Sequence, residues 1–204
     1  MAARVAGTLA AVERLRPDVA AGSAAPVPVR YDANGIAIGR WSVHLTNYDP
    51  FSFYMAAFCM CVPLAQIATR VGLYQYWPVM LGYGIVHMAQ WTLGYFWFMD
   101  NVWSNISARS ASDVLYSTWS LTLDSTYAFI WYGTILGALT FRTLLRWQLR
   151  RLFHIPGKLW EDIITNAGCS CCAVSQMAQH TTAYIPGELL SVGPKDTLPG
   201  YEAL

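Results

Sequence analysis

The hydropathy pattern is dominated by two long stretches without charged side chains. Tyr76 to Met99 contains no Asp, Glu, Lys or Arg, and a helix over it is long enough to cross about 30 Å of hydrocarbon. Ser125 to Phe141 is slightly short, but Arg142 can extend it by lifting its guanidinium to the interface. The pattern predicts a transmembrane helical hairpin joined by the polar stretch 100–124.

A third uncharged stretch, Pro50 to Thr69, precedes the hairpin. Asp49 stands where an N-cap acceptor is expected, and Pro50 suits the first turn of a helix. Pro63 interrupts the helical hydrogen-bond ladder, and Gln66 is polar. The stretch is therefore expected to be a kinked, shallow or re-entrant helix at least as readily as a full crossing.

Basic residues follow the second stretch at helical spacing. Arg142, Arg146 and Arg150 recur every fourth residue and share one helical face, with Arg151 beside them. The spacing predicts a basic juxtamembrane helix whose surface meets anionic headgroups or an acidic partner, with a solvated face as the alternative. It also places this end of the hairpin on the cytoplasmic or matrix side.

The pattern Cys-x-Cys-x4-Gln-x-Ala occurs twice in the same register, beginning at Cys59 and at Cys169. Self-similarity of this kind indicates one structural unit used twice. The hairpin between the copies would return both to the same side of the membrane. Gln66 and Gln176 hold equivalent places, and each is expected to make a structural hydrogen bond across a helix pair.

The two copies contain all five cysteines of the chain: Cys59, Cys61, Cys169, Cys171 and Cys172. These thiolates can supply the four tetrahedral ligands of a structural Zn²⁺ site, so zinc is the possible metal cofactor. Disulfides are expected only in an oxidising compartment. Packing as small buried hydrophobes is the preferred interpretation, and redox chemistry or lipidation remains open.

Composition narrows the function classes. Hydrophobic residues make up 55% of the 204 residues and charged residues 12%, with nine Trp and twelve Tyr, which favours a membrane protein with bound lipid. The net charge of +1 gives no basic field for nucleic acid. No metalloprotease, phosphate-loop, dinucleotide or nucleophile-elbow motif is present, so we expect no catalytic activity. His87 lies inside the first stretch and is expected to be a neutral imidazole bonded to a neighbour such as Gln90.

Two blocks of spaced residues resemble the Cys-rich family named for placenta-specific gene eight, which includes cornifelin, plant cell-number regulators and plant cadmium-resistance proteins. The matching residues are Trp41, Leu45, Asp49, Phe58, Cys59, Cys61, Val62, Arg146, Ile155, Pro156, Gly157, Asp162, Cys169, Cys172, Ala173 and Gln176. The resemblance implies a small, often self-associating membrane-associated protein, linked in plants to divalent-cation handling. Met60 and Ser175 depart from the family pattern, which usually has Pro and often has Cys at these places.

Taken together, the sequence predicts an all-α membrane protein in which a transmembrane hairpin is flanked by two Cys-bearing helices, with extended arms at both ends. The expected parts are an arm over 1–40, a membrane domain over 41–185 and a coil tail over 186–204. Within the domain we expect a first Cys block over 41–70, the hydrophobic hairpin over 75–145 and a second Cys block over 146–185.

The expected role is that of a non-catalytic accessory subunit of a membrane assembly, or a homo-oligomer. The alternatives are a divalent-cation transport or homeostasis factor and, less favoured, a thiol-redox membrane protein. The partners would be lipids and other membrane subunits or further copies of the chain. The membrane would be the mitochondrial inner membrane or a plasma or endomembrane, with both Cys blocks on the cytoplasmic or matrix side.

Overall fold

A computed structural model of the chain describes residues 29–47, 49–107, 126–185 and 193–201. The elements in order are β1 (Arg30–Tyr31), β2 (Ala37–Ile38), α1 (Pro50–Phe58), α2 (Cys61–Arg70), α3 (Tyr76–Ser107), α4 (Thr126–Leu152), α5 (Leu159–Gly168) and α6 (Ser170–His180). The predicted helical fold is confirmed. Residues 1–28 of the predicted arm, most of the 100–124 connection and residues 186–192 lie outside the described ranges.

The strands amend the all-α prediction. β1 and β2 pair antiparallel, with Arg30 opposite Ile38 and Tyr31 opposite Ala37. The Asp32 carboxylate closes the turn by accepting from the backbone N–H groups of Asn34 and Ile36, at 2.9 and 2.7 Å. A turn that is closed by a side chain within it forms without a long helix or sheet around it. Composition and hydropathy therefore did not predict this short β-hairpin.

The first Cys-bearing stretch folds as two helices rather than one kinked helix. The Asp49 carboxylate caps α1 by accepting from the N–H groups of Phe51 and Ser52, and Pro50 is the first helical residue, which confirms both predictions. The chain then bends by 110° between α1 and α2. The break lies at Cys59 and Met60 and not at Pro63, because Pro63 falls in the first turn of α2, where no N–H is needed.

The two long helices pack against each other. α3 continues to Ser107, beyond the predicted end at Met99, and α4 is continuous from Thr126 to Leu152. The separate basic juxtamembrane helix is therefore the last part of α4. Their inner contacts include stacked Trp97 and Trp131 rings, 5.6 Å between centroids.

By length and hydropathy, Ala128–Leu152 is the single described helix that can cross a membrane, and α1 with α2 passes the same test only as a bent pair. The predicted span in α3 does not pass. Its Trp, Tyr, His and Gln side chains lower the mean hydropathy.

The remaining helices form a packed body at one end of the α3–α4 pair. α1 packs on α6, α2 packs on α3 and α6, and α5 packs on α4. Its fully buried side chains include Leu64, Ile67, Leu145, Leu149, Phe153, Val174 and Met177. We call this body the base; it comprises the β-hairpin, α1, α2, α5, α6 and the adjoining parts of α3 and α4 (76–84 and 138–152). The rest of α3 and α4, 85–107 and 126–137, is the distal hairpin.

The described part of the C-terminal tail lies on the base. Leu198 is buried, and its N–H donates to the carbonyl of Arg70 at 2.9 Å. The Tyr201 hydroxyl donates to Asp32 at 2.9 Å, which joins the tail to the β-hairpin. The predicted coil is present over 193–201, and it packs on its own chain.

Candidate functional site

A buried ion cluster links α4 to α5. Arg146 Nε and Arg150 Nη1 lie 3.0 and 2.8 Å from the same oxygen, Asp162 Oδ1. All three side chains are buried, Asp162 to 1% exposure. Glu161 adds a weaker, half-exposed contact to Arg150 at 3.4 Å. Removing charges from water is costly, so this cluster depends on every partner being in place.

Two other segments, α6 and the segment before α1, close over the cluster. Arg146 Nη2 donates to Gln176 Oε1 at 2.7 Å, which brings in α6. The guanidinium carbon of Arg146 lies 4.3 Å from the centre of the Trp41 ring, a cation–π contact from the segment before α1. Gln176 Nε2 donates to the Val43 carbonyl at 2.8 Å. Arg146 is therefore enclosed by three other segments of the chain: α5, α6 and the segment before α1.

The loop between α4 and α5 is shaped around Arg150. Arg150 Nη2 donates to the Pro156 carbonyl, and Nη1 donates to the Lys158 carbonyl at 3.4 Å. Gly157 has φ +144°, and a Cβ there would overlap the guanidinium. Only glycine fits both constraints. The turn Ile155-Pro156-Gly157 therefore accommodates the buried Arg150 side chain.

These positions overturn the prediction of a basic lipid- or partner-binding surface at Arg146 and Arg150. Both side chains point into the base because Asp162, distant in the sequence, supplies the counter-charge. Arg142 is half-buried and donates to the Tyr83 hydroxyl at 2.6 Å and to Met60 Sδ at 3.4 Å. Arg151 alone of the four is exposed, with its guanidinium 4.8 Å from the Trp147 ring centre.

The two glutamines attach extended segments to the base. Gln66 Nε2 donates to the Gly193 carbonyl in the C-terminal tail at 2.9 Å. Gln176 makes the matching bond to Val43 in the segment before α1. The prediction of structural contacts at equivalent places agrees with these bonds, but the bonded partner in each is an extended strap and not a facing helix.

The five cysteines do not converge on one point. Cys169 is disulfide-bonded to Cys172, and Cys59, Cys61 and Cys171 are free thiols. Cys59 is exposed, and Cys61 and Cys171 are half-buried. Burial raises the pKa of the Cys171 thiol. Within the described ranges no three His, Cys, Asp or Glu side chains are grouped to hold a metal ion, so the structure does not assemble the zinc site considered from the sequence.

His180, which the sequence offered only as an occasional fourth metal ligand, is a buried imidazole at the end of α6. Its Nδ1 accepts from the Ser42 N–H at 3.1 Å, and its ring packs edge-on against Trp41 and Phe153. Burial lowers the pKa of His180 to about 4, with a further lowering from Arg146 and an opposing contribution from Asp32. The ring is therefore neutral at ordinary pH, as its acceptor role requires.

An apolar groove of about 500 Å³ runs along the distal hairpin, lined by His87, Gln90, Trp91, Gly94, Tyr95, Phe98, Trp131 and Ile135. His87 Nε2 accepts from the Trp91 indole at 3.1 Å, whereas Gln90 Nε2 donates to the Thr134 carbonyl at 2.9 Å. The expected hydrogen-bonded imidazole is present, with Trp91 as the donor.

The arrangement joins α4, α5, α6 and the segment before α1. Arg146, Arg150 and Asp162 are buried, and Glu161 is the half-exposed member of the cluster. The sequence pattern indicated the arginine face but not its direction. Asp162 and Asn166, four residues apart, share one face of α5 and are both buried. Polar residues at this spacing are typical of a solvated helix face, so the sequence did not indicate that Asp162 is the partner.

Comparison with known proteins is consistent with the sequence resemblance. No curated protein and no solved structure matches the chain. The model of the PLAC8 family matches residues 41–180, well over half of the chain, and this range runs from Trp41 above Arg146 to His180 at the end of α6. The matched range contains the whole cluster around Arg146. Since the family model covers well over half of the chain, the chain belongs to the PLAC8 family.

Proposed function

We propose that the protein is a non-catalytic membrane subunit whose distal hairpin lies in the bilayer and contacts other subunits or further copies of the chain. The observation that carries this proposal is the contrast in exposure between the two ends of the same helices. Ile85, Trp91 and Trp103 on α3 are 71, 63 and 73% exposed, and Leu136 on α4 is 64% exposed. Apolar surface of this extent on a water-soluble monomer would be a liability.

The form of the base supports a scaffold role. Its polar groups are used internally: Asp162 holds two arginines, Gln176 holds Arg146 and the strap at Val43, and Tyr184 donates to the Asp49 cap at 2.8 Å. A rigid base attached to an apolar hairpin can hold a position within an assembly without binding a small substrate. Phe51, Tyr54 and Phe58 on α1 and Trp160 and Ile164 on α5 add exposed apolar faces beside it.

We further propose that the two Cys-bearing units, α1–α2 (Pro50–Arg70) and α5–α6 (Leu159–His180), are copies of one structural unit. Corresponding backbone bonds support this: Cys59 N–H to Met55 O at 2.9 Å matches Cys169 N–H to Thr165 O at 3.0 Å. After the second helix of each unit, Gly72 and Thr182 both have positive φ, +68° and +54°. The following residues, Tyr74 and Tyr184, both donate from their N–H to an alanine carbonyl at the preceding helix end, at 3.3 and 3.1 Å.

The cation-transport alternative has less support. A conduction path needs polar or acidic groups facing a common lumen. The groove along the distal hairpin is lined mainly by aromatic and aliphatic side chains. In a single chain, α3 and α4 offer no acidic lining between Tyr76 and Met99 or between Ala128 and Phe141.

Extraction from native membranes in a mild detergent tests the proposal. We expect the full chain to stay in the membrane pellet after an alkaline carbonate wash and to co-migrate with stoichiometric partners or copies after solubilisation. Ile85→Asp on the distal hairpin should disrupt co-migration, because it places a charge on the proposed contact surface. Asn47→Asp, at an exposed position in the segment before α1, is the matched control and should have no effect.

Two outcomes would contradict the proposal at different points. A chain that stays in solution without detergent removes the membrane hairpin. A stable detergent-solubilised monomer, unaffected by Ile85→Asp, leaves the hairpin in the membrane but removes the subunit role.

A further inference from the structure

The Cys169–Cys172 disulfide lies at the start of α6. Cys169 is the N-cap residue of this helix, and its Sγ accepts from the Cys172 backbone N–H at 3.3 Å. Both residues are half-buried. The neighbouring Ala167 and Gly168 are exposed, so the disulfide lies beside an exposed part of the surface.

The disulfide contributes little to holding the fold. It joins residues only three apart, so it closes a very short loop and removes little entropy from the unfolded chain. The backbone around it is already bonded, from Cys169 N–H to Thr165 O and from Ala173 N–H to Cys169 O, both at 3.0 Å. The first unit makes the corresponding turn with Cys59 and Val62, without any disulfide.

We propose that Cys169 and Cys172 form a thiol–disulfide exchange site whose substrates are disulfides or dithiols of other proteins. Two cysteines separated by two residues at a helix start are the arrangement in which protein disulfides are reversibly formed and broken. In the reduced state the Cys172 N–H and the positive end of the helix stabilise a thiolate at Cys169. Cys169 is therefore the attacking residue and Cys172 the resolving residue.

The exchange conserves atoms and electrons. The Cys169 thiolate attacks one sulfur of the partner's disulfide, forms a mixed disulfide and releases the other sulfur as a thiolate, which takes a proton from solvent. Cys172 gives its proton to solvent and attacks Cys169 Sγ, which releases the partner's second thiolate to be protonated. Counting the proton that Cys169 gave to solvent when its thiolate formed, the protein loses two electrons and two protons, and the partner's disulfide becomes a dithiol. The oxidised protein runs the same steps in reverse with a dithiol partner.

The first test is a redox titration of the purified full-length protein. The protein is equilibrated in buffers running from fully reduced to fully oxidised glutathione, and free thiols are then alkylated and counted by peptide mass spectrometry. We expect the Cys169–Cys172 pair to pass from dithiol to disulfide within this range. A pair that stays bonded in reduced glutathione is a structural disulfide, and a pair that stays reduced in oxidised glutathione has no exchange function. Either result overturns the proposal.

The second test separates the attacking thiol from the others in the same molecule. In Cys172→Ser, oxidised glutathione should add to Cys169 about tenfold faster than to Cys171 near neutral pH, because burial disfavours the Cys171 thiolate. Cys171→Ser is the matched control and should leave the glutathione titration unchanged. Equal addition rates at Cys169 and Cys171 would show that the helix start does not activate Cys169 and would overturn the assignment.

Discussion

If the two Cys-bearing units are copies of one structural unit, as proposed above, they hold different side chains at corresponding places. Ser52 in α1 corresponds to Asp162 in α5, and both are buried. Ser52 Oγ lies 2.8 Å from Ser175 Oγ, a neutral contact, whereas Asp162 binds two arginines. At the end of each unit, Arg70 in the first corresponds to His180 in the second. The first unit is stabilised here by a neutral contact and the second by buried charge, a difference that the proposed repeat has to accommodate.

The largest expected difference between the units comes from Asp162. Asp162→Asn keeps the size of the side chain but leaves Arg146 and Arg150 without their shared counter-charge. We expect a loss of about 3–5 kcal/mol in the free energy of unfolding, the usual cost of breaking a buried ion pair from one side. Chemical denaturation of the detergent-solubilised protein, followed by tryptophan fluorescence, measures it.

Ser52→Ala is the control at the corresponding position of the first unit. It removes a neutral hydroxyl contact and should cost about 1 kcal/mol. If Asp162→Asn and Ser52→Ala reduced stability equally, the buried charge would not distinguish the units.

The second difference depends on pH. The folded pKa of His180 is about 4, against an ordinary value of 6.5, so the unfolded chain binds the extra proton first as pH falls. The stability contributed by neutral His180 is fully present above about pH 6.5 and is lost as the pH falls towards 4, by about 3 kcal/mol in total. Arg70 does not titrate in this window, so the first unit has no equivalent of this effect.

Unfolding free energies measured at several pH values between 7 and 4 check this prediction for the second unit. His180→Gln retains an acceptor for the Ser42 N–H but has no titrating ring, so its stability should change less over the same range. An identical pH dependence in His180→Gln and the unsubstituted protein would assign the effect to other groups.

The sequence predicted the positions of the helices better than the directions in which their side chains point. The Asp49 cap, the Pro50 helix start and the long uncharged helices follow from local rules, because caps and proline act within one turn. The arginine face at 142, 146 and 150 was also readable from its spacing. The sequence did not show what this face contacts, because helical periodicity identifies a face without identifying its partner. The partner of Arg146 and Arg150 is a single carboxylate on another helix.

The candidate site shows the same limit. Trp41, Gly157, Asp162 and Gln176 were recognisable as family-like residues, but only the fold brings them around Arg146 and Arg150. The disulfide was one of several alternatives, since a cysteine pattern does not define which sulfurs meet. The helix break was predicted at Pro63 but lies at Cys59, because a proline in the first turn of a helix does not interrupt that helix.

A smaller difference is expected between the two glutamines. Gln176→Leu removes the acceptor of a buried guanidinium and frees the strap at Val43, so we expect a loss of about 1–3 kcal/mol. Gln66→Leu breaks the bond to the Gly193 carbonyl without leaving a buried charge unpaired and should cost about 1 kcal/mol or less. The denaturation midpoints of the two variants measure the two losses of stability. A larger loss for Gln66→Leu would show that the bond from Gln176 to Arg146 is not what makes Gln176 the more important glutamine.

The smallest effect on stability is expected for Val62→Cys, which is also the most direct test of whether the two units are copies. Val62 corresponds to Cys172, and its N–H donates to the Cys59 carbonyl at 3.0 Å. If the two turns are equivalent, Val62→Cys should form a disulfide with Cys59, raising stability by no more than about 2 kcal/mol because the closed loop is short. Peptide mapping under non-reducing conditions identifies the pair, and Val62→Ser is the control of similar size without a thiol. A new cysteine that stays free, or bonds to Cys61 instead, would show that the helix breaks differ in geometry, because the distance from residue 59 to residue 62 is what a repeated unit must preserve.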